Sequence, residues 1–417
     1  MSRQFATAIL SNGVRLASTP ALGSAQTLSL AVRAGSVHET VANRGASHLL
    51  SMFGFQSTEN RSPVNIIRES ELQGVALRRF RDRDLLIWSA DFLPSQLDYA
   101  AGLLADVAHN TRFEDYEVRD LTVAAGKQTA ECLANPSAFA MDLLHNMAFR
   151  SGYGNSLFAD QAALSAQPLT AVKDFFKQRM TSDNVSLIGY GIDIVDLEFA
   201  LTNTFKALPT GAEDATAKAA AKYFGGESYI PNLHIEENVM AIAFEGVPLN
   251  DARASASIVL EKLLSTNSPV KYGASGIAPY TGKLVATEPA SSLIPFSLSY
   301  AATGLNGVLL KAPSAAIGGL ATDVVTHLKS LTGTVDAAKL TAAKNAAKME
   351  LLTTAESRTG ATHHAAQHLL LGSATTLASI DAVSAADIQK LVTGMLKSKP
   401  TVAFVGDISA APQINLN

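Results

Sequence analysis

Cysteine is nearly absent: Cys132 is the only one in 417 residues. A single thiol excludes an internal disulfide and every multi-cysteine zinc or iron–sulfur site built within the chain. A surplus of one charge is missing too. The 33 basic and 37 acidic residues leave a net charge of −4, so nothing in the composition points to nucleic acid. No 18 consecutive apolar residues occur, which excludes a self-sufficient membrane-spanning helix. There is no P-loop, and no serine hydrolase or kinase signature. Gly152-Tyr-Gly154 and Gly189-Tyr-Gly191 lack the third glycine of a dinucleotide fingerprint. What remains is an ordinary globular balance, with enough apolar material for a large core in two or three domains.

Arg3, Arg15 and Arg33 precede the first acidic residue, Glu39, a bias similar to that of a mitochondrial transit peptide. Yet Ala6–Ser18 reads as two short strands around Asn12-Gly13, the strongest hairpin dipeptide. At most the first four or five residues are then expected to be a targeting remnant.

The chain reads as two halves on one plan. In the first, strands are expected at Thr27–Ala34, Val75–Phe80, Asp84–Phe92 and Val185–Tyr190. Helices are expected at Arg44–Phe53, Ser62–Gly74, Ser95–His109, Glu114–Leu133, Pro136–Phe149, Leu169–Met180 and Leu197–Phe205. Ser62-Pro63 supplies the helix start, a capping hydroxyl followed by a proline whose missing N–H is not needed there. In the second half, strands are expected at Val239–Phe244, Gly282–Thr287, Pro295–Tyr300 and Thr401–Val405. Helices follow at Ala252–Leu264, Ala315–Leu331, Asp336–Glu356, Thr359–Leu371 and Ala385–Leu396. Gly35 matches Gly246 and Gly191 matches Gly406, at offsets of 211 and 215 residues. Such agreement predicts duplication of one α+β unit, each copy a mainly antiparallel sheet covered by helices. The boundaries expected are 1–208 and 229–417, with a small-residue linker at 209–228.

The helix over Arg44–Phe53 carries Gly45-Ala-Ser-His48-Leu-Leu-Ser51-Met52. This stretch resembles the pitrilysin-type metallopeptidases, whose motif there is Gly-x-x-His-x-x-Glu-His. In that family two histidines at i and i+4 hold zinc, the glutamate activates water, and a third carboxylate ligand lies some 70–80 residues on. Gly45 and His48 match. Ser51 stands in the place of the base and Met52 in the place of the second ligand. The third-ligand region falls near Ala125-Gly-Lys-Gln-Thr129, which has no carboxylate, and Glu131 is off register by about two residues. One imidazole does not make a catalytic zinc site, which needs three protein ligands, and no base is left. No catalytic, metal or cofactor-binding residue is therefore assigned.

Within the family, the chain is similar to the peptidase-like core subunits of the mitochondrial ubiquinol–cytochrome c reductase (respiratory complex III), above all in fungal form. The similarity lies in Phe53–Ser62, Arg68–Gly74, Gly154–Leu157, Lys222–Glu227 and Val405–Ile408, in order along nearly the whole chain. It implies two pitrilysin-like domains and a non-catalytic structural subunit without cofactors. It also implies pairing with a core protein 1-like chain, support of cytochrome b and cytochrome c1, a dimeric complex, and a peripheral place on the matrix side of the inner membrane. No haem or iron–sulfur ligand set stands against this. The alternative is the non-catalytic α subunit of the mitochondrial processing peptidase, a presequence binder. That family carries a long glycine-rich loop, whereas Ser265–Thr281 has only Gly273 and Gly276.

Three other features have plain structural readings. His364 and His368 are spaced i, i+4 beside His363, but no acid or cysteine completes a metal set. Arg78–Arg83 is densely basic, and its interleaved Asp82 and the following Asp84 suit a hairpin or a subunit contact. Trp88 reads as core.

Overall fold

The computed structural model describes residues 5–19, 23–165, 168–206, 208–211, 222–232, 237–265 and 291–413. The first six strands are β1 (Ala6–Ile9), β2 (Arg15–Thr19), β3 (Gln26–Val32), β4 (Ala76–Arg81), β5 (Leu86–Phe92) and β6 (Val185–Tyr190). They form one sheet in the order β1-β2-β6-β3-β5-β4, parallel only between β2 and β6. A second sheet holds β7 (Gly226–Pro231), β8 (Asn238–Glu245), β9 (Ser292–Ser299), β10 (Gly304–Ala312) and β11 (Thr401–Gly406). Its order is β7-β11-β8-β10-β9, parallel only between β7 and β11. Without β1, the two orders and all strand senses coincide. Duplication of one unit is what such coincidence means. The α+β pair expected from the sequence is the fold observed.

The pairing refines the repeat. Val32 faces Val185 and Ala243 faces Thr401, offsets of 211 and 216 residues. Glycine recurs for a steric reason. Gly35 donates to the carbonyl of Asp84 and Gly246 to that of Gly304, so each crosses the neighbouring strand's backbone closely. A Cβ at Gly35 would collide with the Arg83 carbonyl, and one at Gly246 with the Gly304–Leu305 backbone. Gly35→Ala and Gly246→Ala should each cost ~1–3 kcal/mol in urea unfolding. Gly74→Ala should cost about 1 kcal/mol, for its positive φ alone, since open space surrounds it.

The helices that frame the first sheet begin with α1 (Ala46–Phe53), α2 (Pro63–Gln73), α3 (Leu97–His109) and α4 (Asp115–Ala134); α5 (Pro136–Phe149) follows them. Ser62 accepts the Asn65 N–H to start α2, and Gly74 ends it in the left-handed region. The chain folds into two compact units, each assembled from three stretches. The first comprises Met1–Glu131, Asn155–Lys218 and Thr354–Gly372; the second comprises Cys132–Gly154, Ala219–Thr353 and Ser373–Asn417. So α5, from the first half of the sequence, packs on β11, β8 and β7. The helix Arg358–Ala366, from the second half, packs on β6 and β3.

Specific contacts fix both placements. In the second unit, the Met141 carbonyl takes the His145 Nδ1–H at 2.6 Å, so Nε2 is the acceptor for the Tyr300 hydroxyl at 2.7 Å. In the first unit, His363 meets Asp82 at 2.8 Å, Arg78 donates to Thr359, and Arg15 donates to the Leu369 carbonyl. The compact units thus differ from the contiguous halves 1–208 and 229–417 by an exchange of helices. Amphipathic spacing shows that a helix has a buried face, not which sheet covers it.

Three expectations need correction. The strand beside Pro295–Tyr300 is β10, while Gly282–Thr287 lies outside the described residues. Gly304, Asn306 and Gly307 break the apolar run of β10 and hide its strand character. The linker ends before β7, so the boundary at 228 falls inside a strand. The helix expected to reach Leu371 narrows its regular part to Ala366 and continues as one wide turn, Gln367–Leu371.

Candidate functional site

α1 starts without a capping side chain of its own, because Gly45 occupies that position in the left-handed region at φ 83°. Glu39 supplies the cap from a distance. Its carboxylate accepts the Gly45 N–H at 2.9 Å and the Ser47 N–H at 2.8 Å. Burial pushes the Glu39 pKa up to about 7, against the two backbone donors and the nearby charges of Arg81 and Arg44. A buried acid at a helix start is thus held by the dipole it stabilises.

His48 is 1% exposed and tied at both nitrogens. The Ala159 N–H donates to Nδ1 at 3.1 Å. Nδ1 is therefore the acceptor, Nε2 carries the proton, and Nε2–H donates to Gln128 Oε1 at 2.8 Å. Burial first, and the charge of Arg81 second, lower the His48 pKa to about 4, against the Gln128 hydrogen bond. Phe158 closes the ring edge-on at 5.7 Å.

The positions of the lost base and lost ligand fall where the motif predicts. The Ser51 hydroxyl donates back to the His48 carbonyl at 2.7 Å. Met52 belongs to the first unit's core. Its carbonyl takes Arg79 Nη1 at 2.6 Å, and the Ser51 carbonyl takes the Trp88 indole N–H at 3.3 Å. Ser51, Met52 and Gln128 line one cleft of about 530 Å³ with Arg79 and Arg81. Gln128, on α4 and 80 residues beyond His48, is thus the residue in the third-ligand region that reaches the imidazole, and Glu131 does not line the cleft. An amide stands where a carboxylate would be needed. Among the described residues, no group of three or more His, Cys, Asp or Glu side chains is placed to hold a metal.

The remaining candidates are absorbed by packing. Arg78 pairs with Asp91 at 2.5 Å, Arg81 lies 5.1 Å over the Phe158 ring, and buried Arg83 donates to the Asn155 carbonyl. The basic run therefore ties the first unit together. His363 joins Asp82, and His364 stacks on Phe5 at 5.9 Å. Trp88 is 1% exposed, as core. Gly152–Gly154 forms a short turn around buried Tyr153, and Gly189 to Gly191 closes β6. The loop Ser265–Thr281 lies outside the described residues from 266 onward.

Sequence reasoning reached the Gln128 stretch by counting along the chain. It missed Glu39 and Ala159, for which no local signal exists: one caps from six residues upstream, the other offers only a backbone N–H.

A duplicated, sheet-and-helix pair whose first helix keeps one imidazole of a dismantled zinc motif defines a peptidase-like protein. A family model described as insulinase (peptidase family M16) matches residues 16–161, and one described as peptidase M16 inactive domain matches residues 168–347. The cytochrome b-c1 complex subunit 2 of Cryptococcus neoformans is 33% identical, over 98% of this chain and 94% of that protein. The Neurospora crassa subunit 2 is 30% identical over 96% and 88%. The α subunit of the mitochondrial processing peptidase of Solanum tuberosum is 29% identical over 97% and 82%. A chain in the solved structure of complex III2 from Candida albicans, bound to Inz-5, superposes with a TM-score of 0.82 at 17% identity, covering 96% of this chain and 95% of that one. The chain belongs to peptidase family M16, on the branch of the mitochondrial cytochrome b-c1 complex subunit 2 proteins.

The tied imidazole makes stability pH-dependent in one direction. Its folded pKa lies below the unfolded value, so protonation is taken up on unfolding as pH falls from 6.5 toward about 4. Stability should be full above that window and decline by about 3 kcal/mol across it. Glu39, raised instead, works in the opposite sense between its ordinary value of 4.5 and about 7. Urea unfolding of the wild type and His48→Gln across that range separates the two. The variant should have a flatter acid limb, and an unchanged limb would remove His48 as its cause.

Proposed function

We propose that this chain is a non-catalytic structural core subunit, of the core protein 2 type, in the mitochondrial cytochrome b-c1 complex (ubiquinol–cytochrome c reductase). One observation carries the reading. The helix of the peptidase motif is kept, with its spacing and its cleft, while its remaining imidazole is closed off by Gln128 and a backbone N–H. A protein that no longer needs the chemistry but keeps the frame is using the frame, and the end-to-end likeness to subunit 2 proteins names the assembly.

In that assembly the chain pairs with a core protein 1-like subunit and supports cytochrome b and cytochrome c1, within a dimeric complex. It sits peripherally on the matrix side of the inner membrane and holds no redox cofactor. Among the described residues, no helix is long and apolar enough to cross a membrane, which accords with a peripheral place. Purification of the tagged chain from detergent-solubilised mitochondria tests this: haem absorbance of b and c1 type should accompany it. Recovery from the matrix with a zinc peptidase, and without haem, would favour the second reading, a presequence-binding α-type subunit. The likeness to the potato processing-peptidase subunit is what supports that alternative.

A further inference from the structure

The cleft beside His48 has a charge opposite to the one a metal centre would need. Arg79 and Arg81 reach it from β4, and among the described residues no carboxylate lines it. Arg79 spends Nη1 on the Met52 carbonyl and forms no ion pair with any described residue, while desolvation lowers its pKa. Gln128 has its oxygen fixed on the His48 N–H, which leaves the amide NH₂ as the free end, with no acceptor among the described residues. Gln56 also lines the cleft, and its side chain forms no hydrogen bond with any described residue. Met52, Phe80 and Leu121 form its apolar wall.

A guanidinium without a counter-ion, at the mouth of a cleft, attracts an anion and repels a dication. Its planar fork lines the same cleft as the planar Gln128 amide, and a fork of this kind matches two oxygens of one acceptor. We propose that this cleft binds an oxyanion, a carboxylate or phosphate group, held by Arg79 and the Gln128 amide, with Arg81 adding field from its place over Phe158. The apolar wall suits an anion that carries a short hydrophobic neighbour. The proposal rests on the cleft alone, so it stands or falls separately from membership of any complex.

The test titrates the full-length chain, at constant ionic strength, with inorganic phosphate, with a short glutamate-and-leucine peptide, and with its lysine counterpart. Calorimetry reads binding, and the imidazole NMR signal of His48 reads location, because a bound anion should raise its pKa. Saturable binding of either anion, with the His48 signal moving, supports the site. Phosphate alone would mark a small free oxyanion as the occupant, and the glutamate peptide alone a carboxylate on a protein segment. Arg79→Gln should weaken binding about tenfold or more, the worth of a charge-assisted hydrogen bond. Gln128→Glu should abolish it while preserving the fold, since a carboxylate still accepts the His48 N–H. Absence of saturable binding, equal binding of the lysine peptide, or undiminished binding by folded Gln128→Glu would overturn the proposal.

Discussion

Residues 1–208 expressed alone should fail to fold cooperatively, although they contain all six strands of the first sheet. The reason is the helix exchange. The first compact unit is completed by Thr354–Gly372, which a fragment ending at 208 lacks. That segment buries Ala361, Thr362, Ala365 and Ala366 on the helix, then Leu370 and Leu371 on the wide turn. It lies on β6 and β3, the two central strands, whose residues are almost all buried. Two buried leucines contribute ~1.5–3 kcal/mol each. The polar ties from His363, Thr359 and the Leu369 carbonyl add about 0.5–1.5 kcal/mol apiece. Set against a total of roughly 5–15 kcal/mol for a domain, that loss takes most of the margin.

The fragment would also carry α5 with Leu144, Ala148 and Phe149 uncovered, because their sheet is in the other half. Such a chain should keep helical far-UV signal, lose near-UV signal and bind a hydrophobic dye. Joining residues 354–372 to its C-terminus through a flexible linker should restore near-UV signal. Sharp, two-state urea unfolding of the bare fragment would show that the exchanged helix is dispensable.

How much of this could be read in advance follows from where each signal resides. β3 was legible from the polar–apolar alternation that begins at Thr27, and β6 as a short, mostly apolar stretch closed by Gly191. α2 was legible at both ends, since Ser62-Pro63 and Gly74 have local roles that their own geometry fulfils. The hairpin at Asn12-Gly13 likewise needs only Gly13 at φ 85°. β10 was not legible, because its glycines serve neighbouring segments and not the strand itself: a Cβ at Gly304 would meet the Val247 and Leu298 backbone, and one at Gly307 the Ile242 carbonyl and the Phe296 ring. The partnership of each exchanged helix was illegible for the same reason, being a property of two distant surfaces. At the site, the missing base and ligand were plain once the helix was set against the family motif that it resembles. The tautomer of His48, which decides what that imidazole can do, depends on the Ala159 N–H 111 residues away.

That tautomer determines what happens when the motif is rebuilt. Ser51→Glu with Met52→His recreates His-x-x-Glu-His on a helix whose i, i+4 geometry is intact, with both new side chains placed at the cleft. The variant should nonetheless be less stable, bind zinc weakly and cleave no presequence peptide. Met52 is 9% exposed within the core, and losing its packing costs ~2–4 kcal/mol. His48 is the deeper obstacle. To ligate through Nε2 it must shed that proton and carry one on Nδ1, which would then face the Ala159 N–H, donor against donor. Two opposed buried donors cost roughly 1–3 kcal/mol, whereas working zinc histidines hold Nδ1–H on an acceptor. Arg79 and Arg81 add repulsion toward a dication. Adding Gln128→Glu supplies the third carboxylate and part of the missing charge, so the triple variant should bind zinc more tightly than the double. It leaves the Ala159 N–H where it is, and with it the wrong tautomer. Zinc affinity measured by chelator competition should therefore rank triple above double above wild type, with no turnover in any of them. Efficient zinc-dependent cleavage by the triple variant would show that the backbone at Ala159 can move aside, and that the imidazole is less firmly tied than its two hydrogen bonds imply.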